Sequence, residues 1–220
     1  MNDALPPALQ QLALVVAVVA LAQAGRRLPW YKLEGDPEAK RILIVATVAL
    51  AGLRWFNANA LAGTSLHFLG AGVATLMFGV AFALWVMAVV SLLAWLGGAD
   101  WLGWAPDFIA CGLLPVLVAH AVWRFEQLRL PPHLFIFVLL NGFAGGALAL
   151  LSSHLFKAAI GVWLDIGNPA VYLTAGMLMM FGEGFLCGGA MALVVVYRPH
   201  WCASFDDRRY LKPPGGDPGA

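Results

Sequence analysis

Residues 64–96 read TSLHFLGAGVATLMFGVAFALWVMAVVSLLAWL, and no Asp, Glu, Lys or Arg interrupts them. A helix crosses the hydrocarbon core of a bilayer with about 20 apolar residues, so this run is too long for one span. We expect a tight, uncharged turn near residues 79–80 to join two shorter helices. The run therefore predicts a polytopic membrane protein.

The rest of the 220-residue chain has the same character, with 61% hydrophobic residues, 11% charged residues and a net charge of +1. Soluble domains carry roughly 25% charged residues, so this composition excludes a water-soluble enzyme and a nucleic-acid-binding protein. The three cysteines, Cys111, Cys187 and Cys202, have neither CxxC nor CxxxC spacing. We therefore interpret them as small buried hydrophobes rather than as a zinc cluster or a disulfide framework.

Apolar runs of span length predict an all-α fold with seven transmembrane helices. The runs cover residues 8–25, 42–61, 64–79, 80–96, 107–123, 133–154 and 170–197. They give one transmembrane domain over residues 1–197, followed by a tail over 198–220 whose Pro/Gly-rich end we expect to be disordered. Pairs of small residues in the last two spans predict close helix contacts, within the chain or with a partner.

The distribution of basic residues predicts the orientation. With the N-terminus outside, eleven of the thirteen Lys and Arg residues fall in cytoplasmic segments, as the positive-inside rule requires. Arg54 lies within a span and Lys157 in a predicted external loop. The first span also resembles a signal peptide at residues 22–24, but its flanking charges favour an uncleaved helix. The C-terminus is then cytoplasmic.

Among the polar residues inside the predicted spans, four are candidates for an intramembrane role: Arg54, His120, Asn141 and Glu183. A charged group at bilayer depth costs roughly 2.5–3.5 kcal/mol on insertion scales and therefore faces the bundle interior. Glu183, midway along the last span, is a proton or cation site in one interpretation. In the other it is a protonated or ion-paired structural group, with Arg54 as the candidate partner by depth alone.

His67 is the principal candidate ligand. It belongs to the segment GTSLHFLG, residues 63–70, in which Thr64 or Ser65 is expected to cap the third span and place His67 in its first turns. Neutral imidazole is the commonest ligand for late first-row metals, although a lone His is also consistent with simple packing. Asp107 and His154 are expected on the same external side.

Several of these segments resemble a known family. The segment 63–70, the pair Asn141-Gly142 and the region from Glu183 to residue 199 are similar to CbiM/NikM-type substrate-capture subunits of energy-coupling factor ABC transporters. The endings VVVYRP (194–199) and FDDRRYL (205–211) resemble a proteobacterial branch of energy-coupling factor permeases.

The resemblance implies a multi-pass protein of the bacterial inner membrane that takes up cobalt or nickel. It implies a transport subunit rather than an enzyme, without a permanently bound cofactor and with a transition-metal cation as its substrate. The implied partners are a transmembrane coupling subunit and cytoplasmic ATP-binding cassette subunits. The chain itself has no P-loop motif.

By resemblance, His67 matches a metal ligand of the family. The family's other ligands come from an N-terminus that begins Met-His, whereas this chain begins MND. The square-planar nitrogen site suited to Ni(II) is therefore not expected in the same form. The amine of Met1, with Ser65, Asp107 and His154, supplies the remaining candidates.

Two other functions stay open on the sequence. One is a capture subunit for a non-metal substrate, or an accessory membrane protein. The other is an intramembrane serine hydrolase, because residues 63–66 resemble the Gly-x-Ser element of rhomboid-type proteases, with His120 or His154 as the base. Leu66 stands where that element has Gly, and a helix cap explains Ser65 better.

Overall fold

The computed structural model describes residues 5–32, 34–55, 66–98 and 102–210. Within these ranges the protein is helical and contains no β-strand, which confirms the all-α prediction. The predictions for Met1, Thr64, Ser65 and the Pro/Gly-rich end of the tail fall outside the described residues.

The helices follow the apolar runs of the sequence. They are α1 (Pro7–Arg26), α2 (Pro37–Trp55), α3 (Ala71–Leu96), α4 (Trp104–Phe108), α5 (Leu114–Arg129), α6 (Leu134–Ile136), α7 (Gly145–Leu164), α8 (Pro169–Tyr197) and α9 (Asp207–Tyr210). The π-helical stretches Ile109–Leu113 and Phe137–Ala144 make α4–α5 and α6–α7 continuous. Pro opens α1, α2 and α8, where its missing N–H is not needed.

In the described part of the chain, five helical stretches are long and apolar enough to cross a membrane: Pro7–Arg26, Ala71–Leu96, Trp104–Arg129, Leu134–Leu164 and Pro169–Tyr197. The second helix, α2, is of similar length but less apolar. It carries Glu38, Lys40, Arg41 and Arg54.

A break at Gly79 divides α3 into two segments. Gly79 has φ 77° and ψ 166°, a conformation that glycine adopts readily. The division predicted near residues 79–80 is present, and with it the described chain has seven principal helical stretches. However, the first segment covers only residues 71–78, about 12 Å at 1.5 Å per residue. The prediction of a helix over all of residues 64–79 is therefore wrong.

The α7 helix extends beyond the predicted end of its span at His154. It continues to Leu164, so Lys157 lies inside the helix and is buried, not in an external loop as predicted. The Lys157 ammonium lies 5.6 Å from the centre of the Tyr172 ring on α8. This cation–π contact stabilises the buried ammonium, which the sequence analysis predicted to lie outside the membrane.

Small residues allow α8 to pack closely against α7 and the π-helical stretch Phe137–Ala144. A Cβ atom on Gly146 would lie 2.6 Å from Cβ of Cys187, and one on Gly142 would lie 3.0 Å from Cα of Gly188. The small-residue pairs of the last two long helices therefore pack within the chain, as glycine permits by close backbone approach.

The first part of the tail packs back onto the helices. The backbone N–H groups of Ala203 and Ser204 donate to the carbonyl oxygens of Met77 and Leu76, at 2.9 and 3.1 Å. The Tyr210 hydroxyl donates to both carboxylate oxygens of buried Glu126, at 2.9 and 3.2 Å. The tail thus supplies donors to carbonyl groups that the break at Gly79 leaves without helical partners.

Candidate metal site

His67 lies in a buried, non-helical segment, residues 66–70, that leads into α3. The sequence placed His67 in the first turns of this helix, but the helix begins at Ala71. That prediction is wrong because Gly70 takes a left-handed conformation (φ 64°) before the helix. Gly70 occupies the N-cap position of this helix, and the predicted capping residues Thr64 and Ser65 lie outside the described residues.

The hydrogen bonding of His67 leaves one ring nitrogen available as a ligand. Its Nδ1 lies 3.2 Å from the carbonyl oxygen of Phe68, and a carbonyl only accepts, so Nδ1 carries the hydrogen. The lone pair is then on Nε2, which is buried and has no hydrogen-bond partner among the described residues. The side chain is held in the tautomer in which imidazole binds a metal through Nε2.

Glu183 of α8 holds the segment that carries His67. Its Oε2 accepts the Leu69 N–H at 2.9 Å, and its Oε1 accepts the Gly70 N–H at 2.7 Å. The carboxylate is fully buried and lies at the positive N-terminus of α3. Glu183 therefore anchors the backbone, and the proposed pairing with Arg54 is wrong.

Arg54 of α2 pairs with Asp107 of α4 instead. Its Nη2 donates to Asp107 Oδ1, and its Nη1 donates to the Ser91 hydroxyl at 3.2 Å. Both charged side chains are buried, and a buried ion pair of this kind requires good geometry to offset desolvation. The second carboxylate oxygen, Oδ2, is buried with no hydrogen-bond partner in the part of the chain that the structure describes.

The structure brings His67 and Asp107 together with Cys111. One ligand atom from each of these three buried residues lies within 4.8 Å of the other two. Asp107 and Cys111 are four residues apart on one helical stretch, so they share a face. The stretch becomes π-helical at Ile109–Leu113, because Pro115 cannot donate to the Cys111 carbonyl. Imidazole, carboxylate and thiolate are all ligands of late first-row metals.

A family model, described as the cobalt uptake substrate-specific transmembrane region (CbiM), matches residues 1–201. The chain belongs to this family. Membership makes the protein a multi-pass, substrate-specific membrane component of the cobalt-uptake class, and it confirms the resemblance read from the sequence. A comparison with curated proteins found no match.

In this CbiM-family chain, the remaining predicted residues lie apart from the cluster. His154 of α7 is buried against the Tyr172 ring at 6.1 Å, and its Nδ1 has no partner within the described ranges. It is not among the three residues that converge. Asn141 is buried in the π-helical stretch Phe137–Ala144, and neither of its amide atoms has a hydrogen-bond partner in the described chain.

His120 belongs to a different region. It stacks on Trp123 at 5.4 Å and lines a cavity of 560 Å³ together with Arg27, Thr75 and Ser204. It follows Asp107 by thirteen residues along α4–α5, about 20 Å at 1.5 Å per residue. His120 is therefore remote from the candidate metal site.

Cys111 is the residue that the sequence analysis assigned no ligand role. It is fully buried, as predicted, and its sulfur lies 3.7 Å from the Ser153 hydroxyl. The signal that indicates more than packing is its spacing of four residues from Asp107. In a helix this spacing aligns a thiol and a carboxylate on one face.

Proposed function

We propose that this protein is the substrate-capture subunit of an energy-coupling factor ABC transporter of the bacterial inner membrane. Its substrate is a transition-metal cation of the cobalt or nickel type. The observation that carries the proposal is the buried imidazole of His67, held with Nε2 available to a cation, in a chain of the cobalt-uptake family.

The donor atoms of the site, rather than its net charge, support capture of a cation over a neutral solute, because Arg54 and buried Lys157 both act on His67 as positive charges. The cluster offers three electron-pair donors, from His67, Asp107 and Cys111, and Arg54 already donates to only one of the two Asp107 oxygens. The other oxygen and His67 Nε2 are acceptors that lack partners among the described residues. A buried acceptor without a partner costs about 1–3 kcal/mol, and a bound cation would relieve that cost.

The distribution of charge supports the proposed orientation and partners. An external N-terminus and a cytoplasmic tail place eleven of thirteen basic residues on the cytoplasmic side. The sequence has no P-loop, so we assign ATP hydrolysis to separate cytoplasmic ATP-binding cassette subunits. A transmembrane coupling subunit would connect them to this chain.

The test is metal analysis of protein purified in detergent from cells supplied with cobalt. We expect near-stoichiometric cobalt in the wild type and none in His67→Ala. The variant His67→Phe removes the ring nitrogens while retaining most of the volume, so it separates loss of a ligand from loss of packing. His120→Ala is the matched control and should retain the metal.

Cellular uptake of radioactive cobalt provides the second measurement. Cells that produce the wild-type subunit with its transporter partners should accumulate the ion, and cells with His67→Phe should not. Equal cobalt in the wild type and in both His67 variants would contradict the proposal, as would its absence from all of them.

A further inference from the structure

We propose that Cys111 binds the captured cation as a thiolate, together with Asp107 Oδ2 and His67 Nε2. The inference rests on the proposed function and specifies its substrate. A site with one nitrogen, one oxygen and one sulfur ligand suits a divalent cation that accepts tetrahedral coordination, such as Co²⁺ or Zn²⁺. It does not suit square-planar Ni²⁺.

The separations between the ligand atoms fit a tetrahedral metal site if the three side chains move slightly closer together. Typical metal–ligand bonds of 2.0–2.3 Å give tetrahedral edges of about 3.3–3.8 Å between ligand atoms. One ligand atom from each of the three residues lies within 4.8 Å of the other two. Closing around a cation therefore requires movements of about 1 Å, which fall within the range of side-chain adjustment. The fourth position stays available for water or another donor.

Two of the three proposed ligand atoms lack a hydrogen-bond partner among the described residues, while the rest of each residue is held. The Phe68 carbonyl fixes His67 through Nδ1, and Arg54 fixes Asp107 through Oδ1. Nε2 and Oδ2 have no partner within the described ranges. The Cys111 sulfur has a long contact of 3.7 Å to the Ser153 hydroxyl. Such outer contacts orient ligands in metal sites.

Loss of the thiol proton lowers the positive charge of the occupied site. Asp107 and Arg54 cancel, because a guanidinium stays protonated in proteins. A divalent cation would therefore bring two uncompensated positive charges into a buried site. Cys111 forms its bond to the metal as the S–H bond breaks, and the proton passes to the buffer. The cation, Arg54, Asp107 and the thiolate then sum to +1, and buried Lys157 adds a further positive charge nearby.

The order of metal preference distinguishes this geometry from a nitrogen-only site. By the Irving–Williams order, Ni²⁺ binds a given set of ligands more tightly than Co²⁺. A tetrahedral site opposes that order because Ni²⁺ favours square-planar or octahedral coordination. We therefore expect Co²⁺ to bind at least as tightly as Ni²⁺.

The experiment is a spectroscopic titration of the full chain in detergent with Co²⁺. A Co²⁺–thiolate bond gives a charge-transfer band in the near ultraviolet, and tetrahedral coordination gives intense visible bands. The wild type should show both. Cys111→Ser, nearly isosteric, should lose the charge-transfer band and bind Co²⁺ more weakly, by at least the ~10–100-fold typical of losing an outer contact. The matched control is Cys202→Ser, a buried cysteine in the tail, which should behave as wild type.

Each outcome separates the two proposals. If Cys111→Ser binds Co²⁺ as tightly as wild type and the wild type shows no charge-transfer band, the thiolate assignment is wrong while capture by His67 stands. If the wild type binds no Co²⁺ and cells accumulate none, the transport function itself is refuted. Backbone hydrogen exchange of Cys111→Ser should match wild type outside this site, which verifies that the variant is folded.

Discussion

Replacing Glu183 by Gln tests whether this carboxylate holds the segment that carries His67. In the wild type both oxygens accept backbone N–H groups, from Leu69 at 2.9 Å and from Gly70 at 2.7 Å. Gln keeps one carbonyl oxygen and places an NH₂ group where the second oxygen was. That NH₂ faces a backbone N–H, so one buried donor loses its acceptor.

The size of the effect follows from the lost bond. A hydrogen bond to a charged group contributes about 1.5–3 kcal/mol, and the surviving bond in Glu183→Gln is no longer charge-assisted. We take about 2 kcal/mol as the loss of local stability in residues 66–70. This corresponds to roughly 30-fold, since 1.36 kcal/mol is a factor of ten.

The assay is hydrogen exchange measured by mass spectrometry on a peptide that covers residues 66–70. The amides of Leu69 and Gly70 should exchange about 30-fold faster in Glu183→Gln than in wild type. The matched control is Glu126→Gln, a second fully buried carboxylate, which should accelerate exchange in the tail and leave residues 66–70 unchanged. Exchange of residues 66–70 within threefold of wild type in Glu183→Gln would show that the carboxylate does not anchor the segment.

Two further substitutions test the packing and the tail. Gly146→Ala puts a Cβ atom 2.6 Å from that of Cys187, so we expect a loss of about 1–3 kcal/mol in thermal unfolding. Gly189→Ala, which meets no described atom within 4 Å, should be neutral or slightly stabilising. Tyr210→Phe removes the donor to buried Glu126 and should cost about 1.5–3 kcal/mol, with faster proteolysis of the tail. Burial, and then the bond to Glu126, raise the pKa of the Tyr210 phenol, so folding favours its protonated form. The stability difference between wild type and Tyr210→Phe should therefore be constant below about pH 10 and shrink above it. A difference that grows above pH 10 would contradict this reasoning.

The ends of the helices that are bounded by local signals were predictable from the sequence. The first predicted span, residues 8–25, differs from α1 (Pro7–Arg26) by one residue at each end, and residues 170–197 differ from α8 (Pro169–Tyr197) by one. A proline precedes each of these two apolar runs and an arginine follows it, so the local sequence marks both boundaries. The end of α7 was not predictable, because the group that accommodates Lys157 is the Tyr172 ring on the next helix.

The start of α3 could not be predicted from the local sequence either, because a distant residue determines it. Its apolar sequence predicts a helix from residue 64, yet residues 66–70 are not helical. The acceptor that satisfies the amides of Leu69 and Gly70 is Glu183, more than a hundred residues away. Local propensity cannot anticipate a hydrogen-bond acceptor supplied at that separation.

Two members of the candidate site were singled out from the sequence and one was not. His67 was selected because ligating side chains are expensive inside a membrane, and Asp107 because it was expected on the same external side. Cys111 was missed because a buried thiol is inexpensive and therefore common. Arg54 was assigned the wrong partner because depth gives only the position along the bilayer normal. Its true partner, Asp107, lies on a different helix from Glu183.

The proposed metal site differs from a packed core histidine in the arrangement of its contacts. A histidine buried only for packing needs partners for both ring nitrogens, since each unsatisfied group lowers stability. Here the Phe68 carbonyl accepts a hydrogen bond from Nδ1 of His67 and so orients the ring. Arg54 donates to Oδ1 of Asp107 and so orients that carboxylate. The atoms left over are Nε2 and Oδ2, and both residues belong to the cluster in which one ligand atom each of His67, Asp107 and Cys111 lies within 4.8 Å of the other two. Selection for stability alone would favour pairing these two atoms, whereas a cation-binding function requires them to stay available.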